Sequence, residues 1–210
     1  MTEERSSLTL ITPARLDPDR FAPEFERALA GVRVAAVILD LADAAEDHWR
    51  RCAEMLCPMA QKAGAAFLLR DRIELARAVG ADGVHITEGA GTLTEAVRAL
   101  RPDFVVGAGD CTTRHAAMTL GEIGPDYVLL GRLGEEDLGA SPTLVEWWAE
   151  LFEIPCIALA TGGWDQAEAA AAGGADFLAL RDLVWDHPDG AVAALRRTQA
   201  IIGHPGEAVA

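Results

Sequence analysis

The chain has 210 residues, half of them hydrophobic and 24% charged, which is enough for one domain with a sizeable core. Its formal net charge is −15, with Lys62 the single lysine and every other cation an arginine; so acidic a surface repels phosphate backbones and argues against nucleic-acid binding. No apolar run reaches the roughly 18 residues of a membrane helix, and Met1–Arg5 leads into nothing of signal-peptide type, so membrane association is not expected and a cytoplasmic location is.

In chain order, the pattern predicts a strand near Leu8–Thr12 and a helix near Pro23–Ala30, then a strand near Val34–Leu39 and a helix near Ala44–Lys62. The alternation continues with Ala65–Leu69, Arg72–Val79, Gly83–Ile86, Leu93–Leu100, Phe104–Gly107 and Thr113–Leu120. It ends with Tyr127–Gly131, Thr143–Phe152, Cys156–Ala160, Asp165–Ala172, Phe177–Leu180 and Ala191–Ile202. Strands alternating with helices imply a parallel sheet, and strands apolar throughout imply a sheet covered on both faces. One phrase recurs: Gly80-Ala81-Asp82-Gly83-Val84, Gly124-Pro125-Asp126-Tyr127-Val128 and Gly174-Ala175-Asp176-Phe177-Leu178. Glycine ends a helix in the left-handed conformation, aspartate makes a tight turn, and a buried strand follows. The aspartates lie 44 and 50 residues apart, about two strand-helix units per interval.

Eight such units predict a compact single-domain (β/α)8 TIM barrel over residues 8–202, with flexible tails at 1–7 and 203–210. An open doubly wound sheet is the rival, and no GxGxxG follows the first strand to support its dinucleotide-binding form. The four cysteines, Cys52, Cys57, Cys111 and Cys156, form no CxxC pair and read as reduced thiols. Cys111 near a helix start, with His115 four residues on, is a second-rank nucleophile candidate. Trp147-Trp148 diverge by about 100° on a helix, so one packs inward and the other covers the surface or a partner.

The run Asp71-Arg72-Ile73-Glu74-Leu75-Ala76, followed by Gly80-Ala81-Asp82-Gly83-Val84-His85-Ile86, resembles the thiamine-phosphate synthase / thiazole tautomerase family. Weaker similarity runs through Gly107, Asp126–Gly131, Ile154-Pro155, Gly162-Gly163 and Ala171–Leu180. The resemblance implies an eight-fold barrel and a transferase of thiamine biosynthesis. That enzyme joins a pyrimidine diphosphate to a thiazole phosphate with magnesium, and holds phosphate at the last two strand-helix loops. A related branch tautomerises the thiazole.

The departures are specific. Where the family's second strand ends in cations that grip the diphosphate, this chain has Ile38-Leu39-Asp40-Leu41-Ala42. The asparagine before the metal aspartate is Arg70, the second metal aspartate falls at Ala90 with Glu88 nearby, and the fifth-loop serine is Gly109. A shortened Arg132-Leu133-Gly134-Glu135-Glu136 replaces the sixth loop, and a phosphate-binding serine falls near Asp182.

Barrel enzymes carry their chemistry at the C-terminal ends of strands. Asp71 is the candidate magnesium ligand, since a hard carboxylate plus substrate phosphates suits that ion; the alternative is an aspartate capping a helix or pairing with Arg70. Thr161, Gly162, Gly163, Arg181 and Asp182 are the candidate phosphate site, and Asp40, Arg70, Glu88 and Arg132 the candidate substrate contacts. Arg132 and Arg181 either replace the missing cations or pair with Glu135, Glu136 or Asp182. His85 reads as structural before functional. The expected partner is a small phosphorylated heterocycle. Beside the transferase stand a non-catalytic binder of a thiamine-pathway ligand and a different enzyme acting on another phosphate ester.

Overall fold

A computed structural model describes residues 6–134 and 136–203. Eight parallel strands close into a barrel in chain order. They are β1 (Ser7–Ile11), β2 (Ala36–Leu39), β3 (Ala66–Arg70), β4 (Gly83–Ile86), β5 (Val105–Cys111), β6 (Tyr127–Leu130), β7 (Cys156–Ala160) and β8 (Phe177–Leu180). The helices are α1 (Pro18–Gly31), α2 (Glu46–Lys62), α3 (Ile73–Val79), α4 (Ala90–Leu100), α5 (Arg114–Gly121), α6 (Pro142–Leu151), α7 (Trp164–Ala172), α8 (Asp182–Trp185) and α9 (Ala191–Gly203). The open-sheet rival is excluded, because β8 pairs with β1 from Ser7↔Phe177 to Leu10↔Leu180. Ser7 belongs to β1 and Gly203 to α9, so neither lies in a tail; the rest of the expected tails, residues 1–5 and 204–210, lies outside the described residues.

Two apolar layers hold the barrel. Residues of one parity, among them Ile11, Ile38, Leu68, Leu129, Ile157 and Leu159, fill the interior. The other parity packs against the helices. Burial of this kind is worth about 25 cal/mol per Å² of apolar surface. Trp148 is buried in the outer layer with its indole N–H donating to the Ile154 carbonyl, 2.8 Å away. Its neighbour Trp147 is half-buried beneath the Arg114 guanidinium. Among the described residues, no helix is long and apolar enough to cross a membrane.

The repeated phrase does more than turn the chain. Gly80, Gly124 and Gly174 adopt φ of +69°, +84° and +89°, as a left-handed helix stop requires. The aspartate two residues on then reaches back to the start of the preceding strand. Asp82 accepts from the Phe67 N–H (2.7 Å), Asp126 from Val106 (2.8 Å) and Asp176 from Cys156 (2.7 Å). The N-terminal ends of β3, β5 and β7 are each fixed by one carboxylate.

Three elements differ from the sequence expectation. Helix α1 opens at Pro18, because Asp17 caps it by accepting from the Asp19 and Arg20 N–H groups; Pro23 lies inside the helix. Strand β5 runs on to Cys111 through a register shift after Ala108, which carries Asp110 at φ +61°. The short α8 was not expected, and its Trp185 indole donates to the Ile11 carbonyl at 2.7 Å, tying this turn to β1.

Candidate active site

The strand ends gather the charged residues read from the sequence. Asp40, just after β2, is held by Thr12, whose hydroxyl accepts from the Asp40 N–H (3.1 Å). The Asp40 carboxylate is 2% exposed and bracketed by two arginines. Arg70 donates to Oδ1 at 2.9 Å, and Arg181 donates to Oδ2. Arg181 is 4% exposed and also donates to Asp137 Oδ1, at 3.1 Å. Arg70 reaches Asp71 Oδ2 at 3.4 Å and donates to the Thr87 hydroxyl at 3.1 Å. The mouth is thus crossed by one chain of charges: Asp137, Arg181, Asp40, Arg70, Asp71.

Asp71 is set by the backbone. Its φ of +50° turns the chain between β3 and α3, and its two oxygens accept from the Thr87 N–H (2.7 Å) and hydroxyl. Burial works against the Arg70 charge, but Asp40, Asp71 and Asp110 together hold its pKa above the ordinary value. Burial pushes the Asp110 and Asp137 carboxyls up, against the pull of Arg70 and Arg132 on the first and Arg181 on the second. Asp110 Oδ1 and Asp137 Oδ2 are buried and have no hydrogen-bond partner among the described residues.

Asp40, Arg70, Asp71 and Glu88 line one cavity of about 260 Å³, together with Asp43, Trp49, Arg72 and Gly134. Four carboxylates face two guanidinium groups in it. Arg132 lies elsewhere: it is exposed, and its backbone pairs with Leu138 in both directions at 2.9 Å to make a small hairpin after β6. No described carboxylate pairs with its side chain, and Glu135 lies outside the described residues. Within the hairpin Leu133 turns inward and plugs the barrel interior, while Asp137 reaches Arg181. The arginine at the end of β8 is therefore paired with Asp40 and Asp137, not with Asp182, which is exposed at the start of α8.

Thr161, Gly162 and Gly163 form the turn into α7, with Gly163 at φ +107°. The Thr161 and Gly162 N–H groups both donate to the Gln166 side-chain oxygen, at 2.8 and 2.7 Å. Gln166 and Asp137 escaped the sequence reading. A glutamine two residues into a helix and an aspartate in an acidic loop carry no pattern of their own.

Two other candidates resolve as structural. Cys111 is buried on the helix-facing side of β5, where burial pushes its thiol up to about 12, and His115 is exposed on α5. A thiol so raised is no nucleophile at neutral pH. His85 lies wholly buried inside the barrel with Nδ1 2.9 Å from the Tyr127 hydroxyl, and burial lowers its pKa to about 4. Gly107 makes room for that pair, since a Cβ there would lie 1.9 Å from the tyrosine ring. Among the described residues, no three of His, Cys, Asp and Glu converge as a ready metal cage.

Residues 8–184 match the family model described as thiamine monophosphate synthase. The chain is 40% identical over 193 residues to the thiamine-phosphate synthase of Rhodospirillum centenum, covering 90% of this chain and 93% of that one. It is 36% identical over 209 residues to the thiamine-phosphate synthase of Hyphomonas neptunium, covering 94% of each. Among solved structures, a thiamine phosphate pyrophosphorylase from Pyrococcus furiosus superposes with a TM-score of 0.80 at 22% identity, over 96% of this chain and 97% of that one. The match runs across the barrel and includes every strand end that carries a charge at the mouth, so the chain belongs to the thiamine monophosphate synthase family.

Proposed function

We propose that this protein is a thiamine-phosphate-synthase-type transferase, joining a pyrimidine diphosphate to a thiazole phosphate with release of pyrophosphate. The observation that carries the reading is the 40% identity across nearly the whole of a named synthase. The Asp71–Ile86 segment supports it locally, because it builds the Asp71–Thr87 turn. Asp71 and Glu88 face one cavity with hard oxygen donors. Magnesium takes one or two carboxylates and completes its shell from phosphates and water, so this pair fits it. When bound, the ion neutralises charge on the departing pyrophosphate.

The chain's own groups position and neutralise. Arg132, exposed beside the mouth, and Arg70, at the cavity wall, offer positive charge to the diphosphate; Asp40 holds Arg70 in place. The thiazole phosphate rests on the Thr161, Gly162 and Gly163 backbone, with Arg181 and the Asp182 turn closing the β8 side. The protein acts in the cytoplasm on these small phosphorylated heterocycles.

A second reading has its own observation. Asp40 stands where the family's diphosphate-gripping cations lie, and it occupies both neighbouring arginines. That favours a barrel which binds a thiamine-pathway phosphate, or another phosphate ester, without the synthase reaction.

The test is thiamine-phosphate formation from the two substrates, with and without magnesium, in wild type and Asp71→Asn. Asparagine tolerates the left-handed backbone that alanine would strain, so this variant keeps the fold. Magnesium-dependent product that falls about 100-fold or more in Asp71→Asn supports the transferase. Folded wild-type protein that forms no product rejects it and leaves the binding reading.

A further inference from the structure

Besides the backbone bond from the Ala140 N–H to the Leu159 carbonyl (2.7 Å), two side chains tie down the segment after β6 at two points, and each also contacts a group proposed above to hold phosphate or is such a group's partner. At one, Asp137 Oδ1 accepts from Arg181 at 3.1 Å, and from the Gly134 N–H at 3.0 Å. At the other, the Gln166 side-chain NH2 donates to the Ala140 carbonyl at 3.0 Å. The oxygen of the same amide accepts the Thr161 and Gly162 N–H groups. One side chain therefore joins the turn after β7 to the segment after β6. Its oxygen sits where a phosphate oxygen would sit, and Asp137 gives Arg181 the carboxylate partner that a phosphate would replace.

Two glycines make room for this arrangement. A Cβ on Gly139 would lie 2.4 Å from the Gln166 nitrogen, and one on Gly162 would lie 3.2 Å from its oxygen. Neither glycine has a positive φ, so here they serve close approach and not backbone conformation.

We propose that Gln166 is a positioning residue that competes with phosphate for the Thr161–Gly162 backbone and couples that site to the hairpin after β6. The proposal rests on the phosphate reading of this turn. A phosphate oxygen accepting the two N–H groups displaces the amide oxygen, and the swing of the side chain withdraws its donor from Ala140. If the phosphate also engages Arg181, Asp137 is released as well. The hairpin then loses both side-chain tethers together and is held by the Ala140–Leu159 backbone bond and the burial of Leu133. A neutral amide is a weaker acceptor than a phosphate dianion, so exchange favours the ligand while keeping the donors satisfied without it.

The experiment is a titration of the full-length protein with inorganic phosphate. It is followed by the backbone amide resonances of Thr161 and Gly162 and by hydrogen exchange at Arg132 and Leu138 in the hairpin. Gln166→Ala is expected to bind phosphate about tenfold more tightly than wild type and to show fast hairpin exchange already without it. Gln166→Glu keeps the acceptor and adds a charge, so it is expected to bind at least about tenfold more weakly. Gly139→Ala leaves the glutamine in the chain but pushes its flexible end aside, and is expected to follow Gln166→Ala. Phosphate that shifts Thr161 and Gly162 with equal affinity in wild type and Gln166→Ala overturns the role of Gln166 and leaves the phosphate reading standing. Resonances unmoved by saturating phosphate in every variant overturn both.

Discussion

Aspartates at the two ends of the barrel lead different lives. At the N-terminal end, Asp82, Asp126 and Asp176 each accept a backbone N–H from the start of a neighbouring strand, at 2.7 to 2.8 Å, with Gln61 and Arg101 adding partly exposed side-chain partners to the first two. At the mouth, Asp40, Asp71 and Asp137 pair with the buried or half-buried Arg70 and Arg181, and Asp110 lies in the field of Arg70 and Arg132. Two of them sit at positive φ, and two keep a buried oxygen without a partner among the described residues. The first arrangement satisfies backbone donors at the buried starts of strands. The second holds charge in strained or underpartnered positions, which persist only where the surrounding structure or a ligand compensates. The same residue type thus serves assembly at one end and, on the function proposed above, ligand chemistry at the other.

The comparison is broken most severely at Arg181. Replacing it by methionine leaves Asp40 with Arg70 alone and Asp137 with only the Gly134 N–H. Losing one partner of a buried pair costs about 3–5 kcal/mol. The urea midpoint should fall accordingly. A loss below about 1 kcal/mol would mean that water reaches these carboxylates and that the mouth network behaves as a surface one.

Between the two ends lies a neutral polar pair, and pH separates its effect from theirs. His85 titrates near 4 in the folded protein against about 6.5 in an unfolded chain. Between those values the unfolded chain holds a proton that the folded one does not, so stability falls as pH drops through the window, by up to about 3 kcal/mol. Asp110 and Asp137, whose pKa values are raised, act in the opposite sense, because their folded forms take up protons first. Comparing wild type with His85→Gln at each pH cancels the carboxylates. The stability gap should move in favour of His85→Gln as pH falls from about 6.5 to about 4. A gap constant across that range would show that burial does not perturb the imidazole.

The barrel was legible because its signals are local. Apolar runs of strand length, glycine stops at Gly80, Gly124 and Gly174, and the aspartate after each follow from chain geometry alone. Strand-end positions could be read for the same reason, and Asp40, Arg70, Asp71 and Glu88 do share one cavity. Pairing was not legible. Arg181 meets Asp40 across 141 residues of sequence and Asp137 across 44, and closure of the barrel brings them together. Nothing in the spacing separates an arginine that is free from one already held. Gln166 was invisible for a related reason: its bonds depend on Gly139 and Ala140, delivered by a hairpin whose register is set by Arg132 and Leu138.

The smallest effect tests the other end of the barrel. Asp176→Ala leaves the Cys156 N–H without its acceptor in a buried strand, at a cost of about 1–3 kcal/mol. Asp176→Asn keeps an oxygen in the same place and should lose about 1 kcal/mol or less, because a neutral acceptor still satisfies the donor. Phosphate affinity should be unchanged in both variants, since the residue lies at the end of the barrel away from the mouth. If asparagine costs as much as alanine, the charge and not the acceptor matters at Asp176. The aspartates of the two ends would then differ only in their partners, not in the kind of work they do.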